Sequence, residues 1–280
     1  MTQHRTALPA STVIRPVKEA DLPALLRLIN IVRLPGEPAL TASSVRQLAL
    51  AEHADVYAAV DADGAVVGAA ALSVRPRDGS GSVHWIHAVD DDLDILKDLL
   101  SHAHRVLGPR RTYAFSEPAN CSLARVPGLP ISYRHRLADM LMDARYVPSM
   151  RQRYFLHDDL LYFPEPSSGP AEETRADVAP LDDRDGWRLR IRQGASTAAT
   201  AAVLACQDGT ALLWQFNVTL GHRRRGTGRR LLCACLDLAA ANGARRVALY
   251  TDCNNTQMEA FLLANGFFQV DTLVTYERRS

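Results

Sequence analysis

An apolar run, Ala211 to Leu220, feeds directly into Gly221-His222-Arg223-Arg224-Arg225-Gly226-Thr227-Gly228-Arg229-Arg230, and an amphipathic run, Leu231 to Ala241, leads out of it. The order reads as a strand, a glycine- and arginine-rich turn, and a helix. The glycines let backbone N–H groups converge, the helix end adds partial positive charge, and together they suit a phosphate group. Two familiar phosphate loops do not fit. A P-loop needs Gly-Lys-Ser/Thr after its last glycine, where Arg229-Arg230 stands. A dinucleotide fingerprint needs a third glycine, where Leu231 stands. A nucleic-acid patch would leave the glycines without a purpose, and a formal net charge of +1 gives no general attraction to a polyanion.

The rest of the chain supplies two such contexts. Short strands at Val13–Pro16, Val56–Val60, Ala65–Val74 and Val83–Val89 surround two helical patterns, Leu22–Ile29 and Ser43–Glu52. A helix from Leu93, a strand at Arg111–Phe115, a helix at Ile131–Ala144 and a strand at Met150–Leu156 follow. Asp158 to Ala176 is rich in Pro, Ser, Gly and Glu and reads as a linker, with Leu160 to Phe163 able to dock on a domain surface. The second half opens with Trp187-Arg188-Leu189-Arg190-Ile191-Arg192, whose period of two sets three arginines against three apolar residues. Strands at Thr197–Cys206 and Thr210–Leu220 lead to the junction. A strand at Arg246–Asp252, a helix at Thr256–Asn265 and strands at Phe267–Val270 and Leu273–Arg278 complete it. Both halves share one order, antiparallel strands, helix, strand, helix, strand, although the second lacks the opening helix pair. The expectation is an α/β (α+β) chain of two tandem domains, 12–157 and 176–280, joined by a linker at 158–175.

Five cysteines (Cys121, Cys206, Cys233, Cys235, Cys253) form an odd set without CxxC spacing, which argues against a disulfide framework or a zinc site and for a reducing cytoplasm. Met1 to Ser11 lacks an apolar signal core, and no run approaches the roughly 20 apolar residues of a membrane helix.

Arg223-x-x-Gly226-x-Gly228, followed by Asn255-Thr-Gln-Met-Glu-Ala-Phe-Leu262-Leu-Ala-Asn-Gly266-Phe267, resembles the GNAT superfamily of acyl-CoA N-acyltransferases. The first stretch is similar to the family's Gln/Arg-x-x-Gly-x-Gly/Ala pyrophosphate loop, the second to its Asn-helix-Gly-Phe segment. The likeness covers 176–280 and, more weakly, 12–157. It implies two GNAT-like domains, each a mixed, mostly antiparallel sheet flanked by helices, and acetyl-CoA (or another acyl-CoA) as co-substrate without a metal. It further implies that Phe216, Asn217, Val218 and Thr219 face the pantetheine arm. The pyrophosphate would fall to Arg223, Arg224, Arg225, Gly226, Thr227, Gly228 and Arg229, with Asn255 and Leu262 at the same site.

For catalysis the chain departs from the family pattern. The usual acid is a Tyr four residues before Gly-Phe, and that position is Leu262; the frequent Glu base is missing from Leu213-Trp214-Gln215-Phe216-Asn217. Tyr250 and Asp252, on one face of their strand, and Tyr276 on the last strand are the substitute candidates. His222 reads as an exposed turn residue, and Cys253, without a basic neighbour, as structural rather than nucleophilic. In the first half the matching junction carries Asp90-Asp91-Asp92, which suits a helix N-terminus and repels pyrophosphate, so that lobe is expected to be a degenerate copy. His84 and His87 lie on one strand in a spacing unsuited to a metal pair. The expected function is a cytoplasmic N-acetyltransferase acting on a primary amine of a small molecule in a cleft between the lobes. It would be a monomer or homodimer, with no nucleic-acid or membrane partner. The alternative is a non-catalytic acyl-CoA-binding or scaffold protein.

Overall fold

Alanines set how closely the first sheet is packed. In β2 (Asp55–Val60) and β3 (Val66–Val74), antiparallel across the Asp61–Gly64 turn, Ala58, Ala59, Ala69, Ala70 and Ala71 are buried, so helices pack closely on both faces. The computed structural model describes residues 12–31, 33–37, 39–49, 55–116, 127–160, 176–182, 185–205 and 208–279. The chain divides into two compact units, each with its own core.

The first unit holds residues 1–33, 40–151 and 272–280. Its sheet runs β1 (Val13–Pro16), β2, β3, β4 (Gly81–Ala88), β5 (Thr112–Ala114), with β4 and β5 parallel. α1 (Leu22–Ile31) and α2 (Ala42–Ala49) bring Leu25, Leu28 and Val45 onto Ala69, Ala71 and Trp85 of one face. The other face takes α3 (Leu93–Leu107), whose Leu96, Leu99, Leu100, Ala103 and Leu107 follow the helical period. Asp92 caps α3 by accepting from the N–H of Asp94 and Ile95, and Gly108, at φ 66°, ends it. α4 (His135–Asp143) completes this layer, and a two-residue strand, β6 (Leu129–Pro130), pairs within the sheet with Leu273 and Val274.

The second unit holds residues 34–39 and 152–271. Its sheet runs β7 (Val147–His157), β12 (Arg246–Asp252), β11 (Thr210–Val218), β10 (Ser196–Ala205), β9 (Gly186–Gln193), β8 (Asp177–Pro180). Leu189, Ile191, Ala201, Val203 and Leu213 face α5 (Thr227–Ala241) and α6 (Thr256–Leu263) in one core. The opposite face carries no helix of this unit among the described residues. At its Leu156 end it is covered by the Leu34–Ala39 loop, where Gly36 sits so close that an added Cβ would lie 2.3 Å from Leu156 Cδ1.

Several expectations need adjusting. β13 (Phe268–Arg278) is one strand, because buried Asp271 is not a break in it. β13 pairs with β5 (Tyr276 opposite Ala114), while the C-terminal half of β7 pairs with β12 (Tyr250 opposite Tyr154), so the compact units do not follow sequence order. α5 starts at Thr227, four residues before its apolar stripe, and α4 starts at His135 rather than Ile131. β6 and β8 are additional strands. Of the linker, Leu160 is buried in the second core and Asp158 pairs with Arg246; residues 161–175, like Cys121 and Cys206, lie outside the described residues.

Candidate functional site

Strand β11 loses one neighbour part-way along. Its parallel ladder with β12 covers only Thr210, Ala211 and Leu212, whereas its antiparallel ladder with β10 continues to Val218. Gln215 faces Ala202 and Leu213 faces Val203, which leaves Trp214 as the extra residue of a bulge just past the last β12 pairing. A bulge increases local twist and re-aims a strand. Residues 213–218 therefore present one backbone edge without a ladder partner among the described residues.

The chain then turns tightly. The N–H and hydroxyl of Thr219 both donate to Ala198 O, and Arg223 Nε donates to Val218 O at 2.9 Å, pinning the start of the loop. Arg224 at φ 58° and Gly226 at φ 77° are left-handed. The Arg230 N–H is the first of α5 to donate within the helix, to Gly226 O, and no side chain caps the helix. The N–H groups of Thr227, Gly228 and Arg229 thus point out of the helix end, as anion donors do. Nothing lies within 4 Å of an added Cβ at Gly226, so this glycine serves the backbone conformation and leaves open space in front of the loop.

That space is a cavity of about 550 Å³. Arg223, Arg224, Gly226, Gly228 and Arg229 form its cationic end, and Phe216, Asn217, Val218 and Asn255 its strand side. Nine of the expected binding residues meet there. The pattern missed the opposite wall, Gln257, Met258, Ala260 and Phe261 on the first turns of α6, where the Phe216–Phe261 ring pair (5.8 Å) makes an apolar throat. Asn255 caps α6 by accepting from the Met258 N–H, and Arg153 of β7 pairs with Glu259, holding that helix end in place. Among the described residues, no carboxylate, histidine or tyrosine lines the cavity. Cationic groups, free N–H groups and an apolar throat fit a pyrophosphate joined to a thin, mostly apolar arm.

Four expected binding residues stand back from the cavity. Leu262 is 0% exposed in the second core, Thr227 is buried at the start of α5, Thr219 is committed to Ala198, and Arg225 is exposed outside the lining. The proposed catalytic side chains fare unequally. Tyr276 is 2% exposed in the core of the first unit, where burial raises its pKa. Its place on a strand of the other compact unit could not be read from strand order. Asp252 is exposed, and its Oδ1 accepts from the Asn254 N–H at 2.7 Å, closing the turn that delivers Asn255. Tyr250, half-buried, shares the helix-free face of β12 with Asp252.

The first unit repeats the architecture and fills it. β4 pairs with β5 only at Gly81, Ser82 and Val83, and His84 is the bulged residue, with Trp85 opposite Ala71 and Val83 opposite Leu72. The opening that follows is taken by Arg134, at the N-cap of α4, the place Asn255 holds on α6. Arg134 is 2% exposed. It donates through Nη1 to Ile86 O (3.0 Å) and to His87 Nδ1 (3.0 Å), and through Nη2 and Nε to the two oxygens of Asp91 (2.7 and 3.2 Å). Burial, then the nearby guanidinium, hold the His87 pKa well below its ordinary value. Asp90 and Asp91 are both left-handed, at φ 53° and 51°. A side chain of the protein itself thus stands in the cleft that the second unit leaves open. His84 Nε2 bonds Ser73 Oγ, so neither histidine is placed as a metal ligand.

No curated protein matches the chain by sequence. The model of the acetyltransferase (GNAT) family matches residues 152–267. Among solved structures, a tandem GNAT protein from the clavulanic acid biosynthesis pathway superposes with a TM-score of 0.71 at 17% identity, over 95% of this chain and 98% of that one. A GCN5-related N-acetyltransferase from Sphaerobacter thermophilus gives 0.66 at 16% identity, over 97% and 96%. No helix of the described residues is long and apolar enough to cross a membrane. The chain therefore has the fold of the tandem GNAT proteins, and its residues 152–267 match the acetyltransferase (GNAT) family model.

Proposed function

We propose that the second unit binds acetyl-CoA, or a related acyl-CoA, and transfers the acyl group to a primary amine of a small molecule. One observation carries this: the unpaired edge of β11 runs straight into a loop of free N–H groups, inside a cavity lined, among the described residues, by three arginines and no acidic side chain. The loop and Arg224 and Arg229 would hold the pyrophosphate, with Arg223 bracing the loop through Val218 O. The edge at Phe216–Val218 would pair with the pantetheine amides, between Phe216, Phe261 and Met258. The duplication would give two domains, 12–157 and 176–280, of which the second carries this reaction.

The amine nitrogen attacks the thioester carbonyl carbon, and the charge gathered on the carbonyl oxygen is met by a backbone N–H of the unpaired β11 edge. The C–S bond breaks and the thiolate leaves. With a thiol pKa of about 8.5 it is a fair leaving group, so a missing phenol at Leu262 slows protonation without forbidding turnover. The proton shed by the amine passes to water, or to Asp252 on the helix-free face. A second reading, acyl-CoA binding without transfer, is favoured by a cavity lining in which the described residues include no carboxylate, histidine or tyrosine. Release of CoA thiol with a panel of primary amines separates the two. Release with at least one amine supports the transferase, whereas saturable acetyl-CoA binding with no release across the panel supports the binder.

A further inference from the structure

The helix-free face of the second sheet carries a charge pattern that the cofactor does not use. Strand register fixes which residues share that face. Arg190 lies opposite Thr200, and Thr200 opposite Asn217; Arg188 lies opposite Ala202, and Ala202 opposite Gln215. Since Leu189, Ile191, Ala201 and Phe216 belong to the helix-side core, these two cross-strand rows face the other way. Asn217 also lines the cavity, so the rows run from the unpaired edge of β11 outward to β9. Two strand spacings of about 4.8 Å separate Arg190 from Asn217, on the order of 10 Å in all.

The two arginines are uncommitted among the described residues, Arg188 exposed and Arg190 half-buried, with no ion pair or hydrogen bond to either guanidinium. Asp177, opposite Arg190 on β8, gives its carboxylate to Arg192 at 3.0 Å. Arg188, Arg190, Arg192 and Asp177 therefore leave this patch with two net positive charges. Tyr250 and Asp252 lie on the same helix-free face, across the gap where β11 and β12 part. An amine held near that gap would have its far end over Thr200 and the two arginines.

We propose that the acceptor is an amine bearing an anionic group, a carboxylate or a phosphate, which Arg188 and Arg190 bind roughly 10 Å from the reacting nitrogen. This rests on the acyltransferase reading of the second unit. Guanidinium is well suited to the role because its planar fork meets both anions with paired donors. Thr200, Gln215 and Asn217 supply neutral polar groups along the path.

The experiment compares ω-amino acids and ω-aminoalkyl phosphates of graded length with neutral amino alcohols of the same length, by CoA-thiol release. It uses the full chain and its Arg188→Gln, Arg190→Gln and double variants. The expected result is a preference for anionic acceptors that falls roughly 10- to 100-fold in kcat/KM in the double variant, as for lost charge-assisted hydrogen bonds. The fall enters through KM, and neutral acceptors and the KM for acetyl-CoA stay unchanged. The carboxylate and phosphate arms show which anion is read. Equal turnover of neutral and anionic amines, or an equal loss for both in the variants, overturns the proposal. If acetyl-CoA binds but no amine releases thiol, the transferase reading fails by itself. The anion site is then decided by calorimetric titration of the chain saturated with acetyl-CoA, which occupies the Arg223–Arg229 loop, with glutarate and with inorganic phosphate. Binding that the double variant loses supports the site, and its absence, or its persistence in the variant, rejects it.

Discussion

Replacing Arg134 by alanine tests whether the first unit carries its own plug. The guanidinium is 2% exposed and makes four polar contacts, two of them to Asp91, whose side chain is 21% exposed. Its removal strands Ile86 O, His87 Nδ1 and the Asp91 carboxylate together. Breaking one side of a buried ion pair typically costs about 3–5 kcal/mol. Water reaching the partly exposed Asp91 oxygens brings the expectation to the lower end, about 3 kcal/mol. For a unit of this size that is a fall of roughly 6–12 °C in melting temperature. Trp85 is the one tryptophan of the first unit, so its fluorescence in a Trp187→Phe/Trp214→Phe background reports that unit separately. Asp91→Asn, which keeps an acceptor for Arg134, should cost less. A shift below about 2 °C for Arg134→Ala would show that the cleft is not held by this residue, whatever its contacts.

Other outcomes follow from the same geometry. Burial holds the His84 pKa down at about 4, and His87 lies well below its ordinary value too; both are neutral when folded and take up protons on unfolding. Stability of the first unit is thus full above pH 6.5 and declines from there toward pH 4, by up to about 1.4 kcal/mol per pH unit for each histidine. Melting between pH 7 and 4.5 measures this, and His84→Gln should flatten the slope. Asn255→Ala removes the cap on α6 and should cost about 1 kcal/mol by urea titration while weakening acetyl-CoA binding, since Asn255 also lines the cavity. Asp252→Asn keeps the turn to Asn254. A tenfold or greater fall in kcat with an unchanged KM for acetyl-CoA identifies Asp252 as the proton acceptor, and an unchanged kcat gives that role to water.

What the sequence made legible was local. The glycines of the loop, the apolar run before it and the Asn-to-Gly-Phe helix each act within about a dozen residues, and nine of the expected binding residues do meet in one cavity. The duplicated order of strands and helices was readable for the same reason. Pairings across the chain were not. Nothing local tells Tyr276 that its strand will lie beside Ala114, or Tyr250 that it will face Tyr154. Leu262 sits in the core because its helix face joins the cluster that also holds Phe155 and Phe267, which no motif records. Gln257, Met258 and Phe261 could have been found by following the helical period from Asn255 toward the loop. The acidic triplet did signal a first lobe unfit for pyrophosphate, but Arg134 lies more than 40 residues further on, and no spacing rule links it to Asp91.

The central claim is that this chain has one open acyl-CoA site, at the Arg223–Arg229 loop, and one filled by its own arginine. Calorimetric titration of acetyl-CoA into the full chain and into Gly226→Asp tests it most directly. The account predicts one site per chain in the wild type and none in the variant, with circular dichroism unchanged. Two sites in the wild type, or binding that survives a carboxylate at Gly226, would contradict it.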